Sequence, residues 1–253
     1  MNRLKLLISP LIPALLLLAG CQNLKTENYS ETLKQPLAAE STDTLSIQIS
    51  LDYPVKGASE EALAAMTRNI ATVAFDQEAD LPTIDDLAQR YEAQLTDQYL
   101  DENRPLVGMT ESGTLSWEDS INGYFSGRYK NYDVYVIEYY SYRGGGHGMN
   151  TLTPIVLDRE TGDVVAEPAF FKDGYQARIA PLLQEELRRE ILENPEGAED
   201  YESLYVKEIT PNGCYDVGKN GVTWYYQPYE IGPYYLGVIS VTLPWAAIKD
   251  QIR

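Results

Sequence analysis

The chain predicts an α+β fold, an antiparallel sheet with helices packed on one face. Three observations carry this. Several short runs alternate apolar with polar residues, as half-buried strands do. Three longer runs place apolar residues at three- and four-residue spacing, as amphipathic helices do. The two kinds of run come in blocks and not in strict strand–helix alternation, which disfavours a parallel α/β sheet.

The elements follow in order. Residues 45–53, "LSIQISLDY", alternate and predict a strand. Ser59 is placed to cap a helix, with Glu60 and Glu61 favourable in its first turn and Leu63, Met66, Ile70 and Val73 at helical spacing. Thr83 opens a second helix, whose stripe is Ile84, Leu87, Ala88, Tyr91, Leu95 and Tyr99. From Gly113 the chain turns to strands at 120–130, 133–142 and 152–157. "DRETGD" (158–163) is a tight turn in which Gly162 can take positive φ. A third helix over 174–193 buries Ile179, Leu182, Leu183, Leu187 and Ile191, and Glu185 can pair with Arg189 outside. Pro181 must sit in its first turn or kink it, and "NPEG" (194–197) ends it. Strands at 222–226 and 235–243 and a short helix at 245–251 close the chain.

The first residues carry an address. "MNRLKLLISPLIPALLLLAGC" has a basic start, a short apolar core broken by Ser9, Pro10 and Pro13, and small residues before Cys21. That is the pattern of a secretory signal, shorter than the roughly 20 apolar residues of a span. Ala19-Gly20-Cys21 resembles the lipobox of bacterial lipoproteins. The resemblance implies cleavage after residue 20, acylation of Cys21, and a lipid-anchored protein of the bacterial cell envelope, at the outer membrane or periplasmic face. Each buried methylene of such an anchor contributes roughly 0.8 kcal/mol. Residues 21–44 are polar without sustained apolar period and are expected to be a flexible tether. Folded parts are expected over 45–112 and 113–253.

With Cys21 acylated, Cys214 has no partner in the chain, so no internal disulfide is expected and the core alone must hold the fold. One histidine and one remaining cysteine exclude a zinc motif, and no metal or cofactor is expected. Removal of Arg3 and Lys5 with the signal leaves 18 basic against 38 acidic side chains, a formal −20. Such a surface disfavours nucleic acid and favours either plain solubility or a cationic partner.

Twenty tyrosines stand against four phenylalanines, grouped at 129–142 and 225–235. Tyrosine suits half-buried sheet and wet binding faces alike, so a sheet built with tyrosine and an aromatic platform for sugars both stay open. Tyr226 is one that can point outward.

"SYRGGGHGMNTLTPIVLDRETGDVV" (141–165) and "WYYQPYEIGPYYLGVISVTLP" (224–244) resemble the C-terminal extracytoplasmic domain shared by RsiV-type anti-sigma factors and PdaC-type peptidoglycan deacetylases. That family has a Gly-Gly-x-His loop after a strand, here Gly145-Gly146-His147 shifted by one. It has an Asp-x-x-Thr-Gly turn, here Asp158 to Gly162, and a Pro-Tyr-Glu-Ile motif, here Pro228 to Ile231. "EPAFFKDGY" (167–175) fits the segment leading into the family's helix. The resemblance covers 113–253, and 45–112 matches the companion domain in general layout, which implies a two-part RsiV-like, PdaC-like arrangement. The export signal at the start leaves no cytoplasmic segment to hold a sigma factor, and no deacetylase domain is recognisable. RsiV-type modules recognise lysozyme, so the resemblance implies a binding protein and not an enzyme, with a lysozyme-like glycosidase or cell-wall glycan (peptidoglycan) as partner. The alternatives are a carboxylate-dependent cell-wall hydrolase or deacetylase-associated enzyme, and a purely structural envelope lipoprotein.

His147, the one histidine, has three readings: a structural residue donating a buried hydrogen bond, a ligand contact, or a catalytic base. No Gly-x-Ser-x-Gly elbow accompanies it, and no catalytic residue is assigned. Both hallmarks lie at strand ends, so they are expected to meet, with His147 beside Tyr229 or Glu230. The candidate contact residues are His147, Tyr142, Tyr229, Glu230, Tyr234 and Tyr235.

Overall fold

The computed structural model describes residues 23–39, 41–77, 83–111, 113–195 and 197–253. The signal segment and Cys21 lie outside them. The α+β class holds. The first strand is β1, Lys25–Pro36, which pairs antiparallel with β2, Thr44–Lys56. Two helices then cross over, α1 at Glu60–Phe75 and α2 at Ile84–Asn103. Their caps are the expected ones: the Ser59 side chain accepts from the Ala62 amide, and that of Thr83 from the Asp86 amide. The crossover returns to β3, Trp117–Tyr129, which lies parallel to β2. Two antiparallel additions follow, β4 at Tyr132–Tyr142 and β5 at Met149–Asp158, giving the order β1-β2-β3-β4-β5.

The predicted tether is therefore β1, an edge strand. Most of its side chains are exposed on both faces, so it carries no apolar alternation to announce it. Its lysines and terminal Pro36 are residues that discourage further strand pairing. The sheet also runs unbroken across the expected boundary at 112/113, because β2 pairs with β3 through Leu45–Leu51 and Trp117–Gly123.

Helices α1 and α2 cover one face of the sheet. Leu45, Ile47, Ile49 and Leu51 of β2 meet Met66, Ile70, Leu87, Leu95 and Tyr99 there, with Tyr135, Ile137, Ile155 and Leu157 from β4 and β5. The "DRETGD" turn docks on α1. Gly162 has φ +79°, its carbonyl accepts from Asn69 at 2.9 Å, and a β-carbon there would lie 2.2 Å from the Ala62 carbonyl oxygen.

The other face is covered as well, but only in part. After α3 (Glu167–Phe170) and α4 (Tyr175–Leu192) come α5 (Gly197–Ser203) and an antiparallel sheet. Its strands are β6 (Tyr215–Val217), β7 (Gly221–Tyr226) and β8 (Ile239–Pro244), and α6, Trp245–Ile248, closes the chain. Val134, Val136 and Val156 pack in this second core with Ile179, Leu183, Leu187, Trp224, Val241 and Leu243. Buried Glu167 ties it together, accepting from the Trp224 indole at 2.9 Å and from the Gly213 amide. Burial raises its carboxyl above the usual range.

Several local expectations change. Arg189 pairs with Glu186 and Glu193 in place of Glu185, although all three lie within its reach on α4. Pro181 sits in the body of α4. Residues 234–236 form a 3-10 turn, so the last strand starts at Ile239. Tyr226 points inward, 2% exposed, with its hydroxyl donating to the Thr210 carbonyl.

Candidate functional site: an aromatic cluster at the edge of the second layer

Strand alternation positions the site. On β4, Val134 and Val136 face the second core, and Glu138, Tyr140 and Tyr142 continue the same face beyond it. The second layer ends there, leaving a step. At the step lies a groove of about 350 Å³, lined by Ser120, Asn122, Glu138, Tyr140, Asn150 and Val238 among others. Glu138 is held by the Tyr124 hydroxyl at 2.9 Å and the Asn122 amide at 3.3 Å.

The glycine–histidine loop forms the rim beside Tyr140. Gly148 is buried against the Tyr140 ring, where a β-carbon would come within 2.3 Å of it. That close approach is why the loop needs glycine there. The Tyr140 phenol is pushed above its ordinary value by desolvation, then by Glu118 and the neighbouring phenols of Tyr234 and Tyr142. The Tyr142 hydroxyl donates to the Gly145 carbonyl at 3.0 Å and fixes the loop.

His147 and the Pro-Tyr-Glu-Ile motif do meet. The imidazole stacks on Tyr234, with centroids 3.9 Å apart and planes 17° apart. Its Nδ1 lies 2.9 Å from the Gly148 carbonyl and its Nε2 lies 3.3 Å from the Tyr229 hydroxyl. A carbonyl only accepts, so Nδ1 carries a proton, and in the neutral ring Nε2 accepts from Tyr229. The expected buried hydrogen bond is corrected: the His147 side chain is exposed. Glu230 is not its partner. One Glu230 oxygen accepts from the Asn212 amide at 2.9 Å and the other from the Gln227 backbone amide at 2.7 Å. Tyr235 also stands apart, 66% exposed, donating to Ser203.

Gln227-Pro228-Tyr229-Glu230 is a turn closed by the Glu230 amide on the Gln227 carbonyl at 2.9 Å. Proline at its second position and positive φ at its third are the type II pattern, which favours glycine at that third place. Tyr229 occupies it with φ +68°. The ring stays 47% exposed and leans on Tyr234 at 5.7 Å. A strained residue presenting an exposed ring is the kind of feature that clusters at ligand sites.

Gln227 was not singled out by the sequence. Its side chain pairs with Leu152 of β5 like a short stretch of strand, accepting from the amide at 3.0 Å and donating to the carbonyl at 2.8 Å. It thereby locks the turn to the first sheet. Half-buried Cys214 lies beside it, with its thiol pushed up to about 11 by burial. Glu138, Asn122 and Asn150 were also missed. The one available signal was the shared face of 138, 140 and 142 on a recognised strand. Among the described residues, no group of three or more histidine, cysteine or acidic side chains could hold a metal ion, and no helix is long and apolar enough to cross a membrane.

Fold and site together define an α+β protein with an open five-stranded sheet covered on both faces and an aromatic cluster where the second covering layer stops. More particularly, a DUF3298 domain is present: residues 168–246 match the model of that family, described as a protein of unknown function. The chain superposes over 91% of its length on a solved member of the DUF3298 family from Bacteroides fragilis, with TM-score 0.77, 20% identity and 94% of that chain covered. A DUF3298 family protein from Pseudomonas aeruginosa gives TM-score 0.66 and 17% identity over 92% of this chain and 96% of that one. At such identities the likeness shows the fold. No curated protein matches the chain.

Proposed function

We propose that the chain is a lipid-anchored binding protein of the bacterial envelope and that the aromatic cluster takes cell-wall glycan. The observation that carries this reading is Tyr229, held in a strained turn with its ring exposed beside the His147–Tyr234 stack. Rings of this kind bind the apolar faces of sugars, and the neighbouring Asn122, Glu138 and Asn150 offer donors and acceptors for hydroxyl and acetamido groups. The anchor rests on Ala19-Gly20-Cys21. The kinship to RsiV- and PdaC-type proteins rests on the two motifs that meet at the site.

The test is calorimetric titration of the full-length chain with N-acetylglucosamine tetramer. Saturable binding that falls tenfold or more in Tyr229→Gly, a substitution suited to the turn, is the expected result. Hydrolysis or deacetylation of the oligomer would move the protein to the enzyme class, and absence of saturable binding would remove the glycan reading. Incorporation of a fatty-acid probe into wild type but not Cys21→Ala is expected in parallel.

A second reading has its own support. The formal −20 after signal removal suits a cationic glycosidase such as lysozyme. Binding to lysozyme that persists at physiological salt, where screening acts within about 8 Å, would favour it.

A further inference from the structure

The loop that carries His147 begins with Arg143, and strand alternation sends that residue to the opposite face of the sheet. There it lines a separate cavity of about 450 Å³ between the C-terminal end of α1, α2 and the ends of β4 and β5. Arg143 is held with unusual thoroughness. Its Nη1 pairs with Asp119 and donates to the carbonyls of Glu118 and Tyr142, both at 3.2 Å. Its guanidinium carbon lies 4.9 Å from the centre of the Trp117 ring. The Asp119 side chain has no exposure, and its second oxygen accepts from the hydroxyls of Tyr91 and Tyr139.

Two phenols already satisfy one oxygen of Asp119, and they tie α2 to the sheet without help from a cation. What Arg143 adds is a fixed, positive group in the cavity wall. Its donors are not used up. Nε has no protein partner among the described residues, and Nη2 makes only a 3.4 Å contact to the Tyr139 hydroxyl. The Nε–Nη2 edge is the fork that matches a carboxylate with two parallel hydrogen bonds. A single negative charge suits the place better than a phosphate, because Asp119 already stands against the same guanidinium and the chain is strongly acidic.

The rest of the wall suits a peptide. Gln94 and Gln98 are exposed and one turn apart on α2. The Gln94 side-chain carbonyl accepts from Gln77 and the Gln98 amide donates to Glu102, which leaves the Gln94 NH2 group as a donor. Thr151 and Thr153 of β5 offer hydroxyls that bond to nothing among the described residues. Val73, Ala74, Phe75 and Ile137 supply apolar surface for small side chains. We infer that this cavity is a binding site for the C-terminal carboxylate of a short peptide, with Arg143 as its anchor and Asp119, Tyr91 and Tyr139 as the residues that position it. The site lies across the sheet from the aromatic cluster, and Tyr139 and Thr151 line both cavities.

Calorimetric titration of the full-length chain with N-acetyl-alanyl-alanine, and with the same dipeptide as its C-terminal amide, tests this. The acid should bind saturably and the amide at least tenfold more weakly. Arg143→Lys keeps a cation against Asp119 but lacks the fork, and should lose tenfold or more for the acid with little change for the amide. Gln94→Ala, at an exposed helix position that leaves the fold intact, should weaken the acid severalfold. Equal binding of acid and amide by the wild type, or no saturable binding of the acid up to about 10 mM, a concentration above any affinity worth the name, overturns the inference. So does unchanged acid binding in a folded Arg143→Lys protein. Should Arg143→Lys fail to fold, the wild-type probe pair and Gln94→Ala decide the matter alone.

Discussion

Replacing Tyr229 with glycine and with alanine separates strain from contact. The side chain is 47% exposed, so about half of a large side chain's burial is at stake, roughly 1 kcal/mol. The tilted pair with Tyr234 adds about 0.5 kcal/mol and the exposed hydrogen bond to His147 about 0.5. Against these roughly 2 kcal/mol stands the positive φ of 68°, which costs a non-glycine residue about 1–2 kcal/mol. Alanine loses the contacts and keeps the strain, so Tyr229→Ala should be about 2 kcal/mol less stable than wild type. Glycine loses the same contacts and relieves the strain, so Tyr229→Gly should stay within about 1 kcal/mol. For a chain of this size the alanine variant should melt roughly 4–8 °C lower, with the glycine variant well above it. Scanning calorimetry and urea unfolding measure both. A glycine variant melting as low as the alanine variant would show that the turn stores no strain, and the argument from Tyr229 to a ligand site would lose its basis.

Two further outcomes follow from the packing and the charges. Gly162→Ala forces a β-carbon to 2.2 Å from the Ala62 carbonyl in a backbone of φ +79°, so it should cost more than about 2 kcal/mol, read as a lower urea midpoint at unchanged slope. Burial, then the repulsion of Glu186, pushes the Glu190 carboxyl up to about 7. Between the usual carboxylate value and about 7 the folded state holds a proton that the unfolded state has lost, so this group's stabilising contribution fades as pH rises through that window. Glu190→Gln should flatten the fall in melting temperature from pH 5 to 8, and an unchanged slope would refute it.

The parts of the fold that were legible are those with local causes. Ser59 and Thr83 cap helices through their own side chains, and Leu45 to Leu51 alternate because one face of β2 is buried. Strand β1 left little trace because, as an edge strand, it lends the core only Tyr29 and Leu33, both partly buried, too few for an alternating pattern. Arg189 chose Glu186 and Glu193 over Glu185, a matter of side-chain geometry on an exposed helix that spacing does not settle. The tyrosine question resolved both ways. Tyr99, Tyr135 and Tyr226 are core, whereas Tyr229 and Tyr235 are surface, and composition carries no information about which is which.

The site shows the same division at closer range. That His147 lies beside Tyr229 followed from two motifs at strand ends. That Gln227 clasps Leu152 did not, because the contact joins two sheets across 75 residues and depends on how the layers dock. Asp119 and Arg143 are likewise brought together by register, since Glu118 lies opposite Tyr142 and each partner is one residue further along its strand. The alternation of β4 then explains why one short stretch serves both faces of the sheet. Tyr140 and Tyr142 turn to the aromatic step, and Tyr139 and Arg143 turn to the cavity under α2. A one-residue slip of β4 would exchange the two sets and destroy both arrangements together. The pair of buried Asp119 with partly exposed Arg143 opposes such a slip, because any other register leaves the Asp119 carboxylate buried without its cation. The pair thus fixes the strand that presents Tyr140 and leads into the His147 loop, even though it faces the other way.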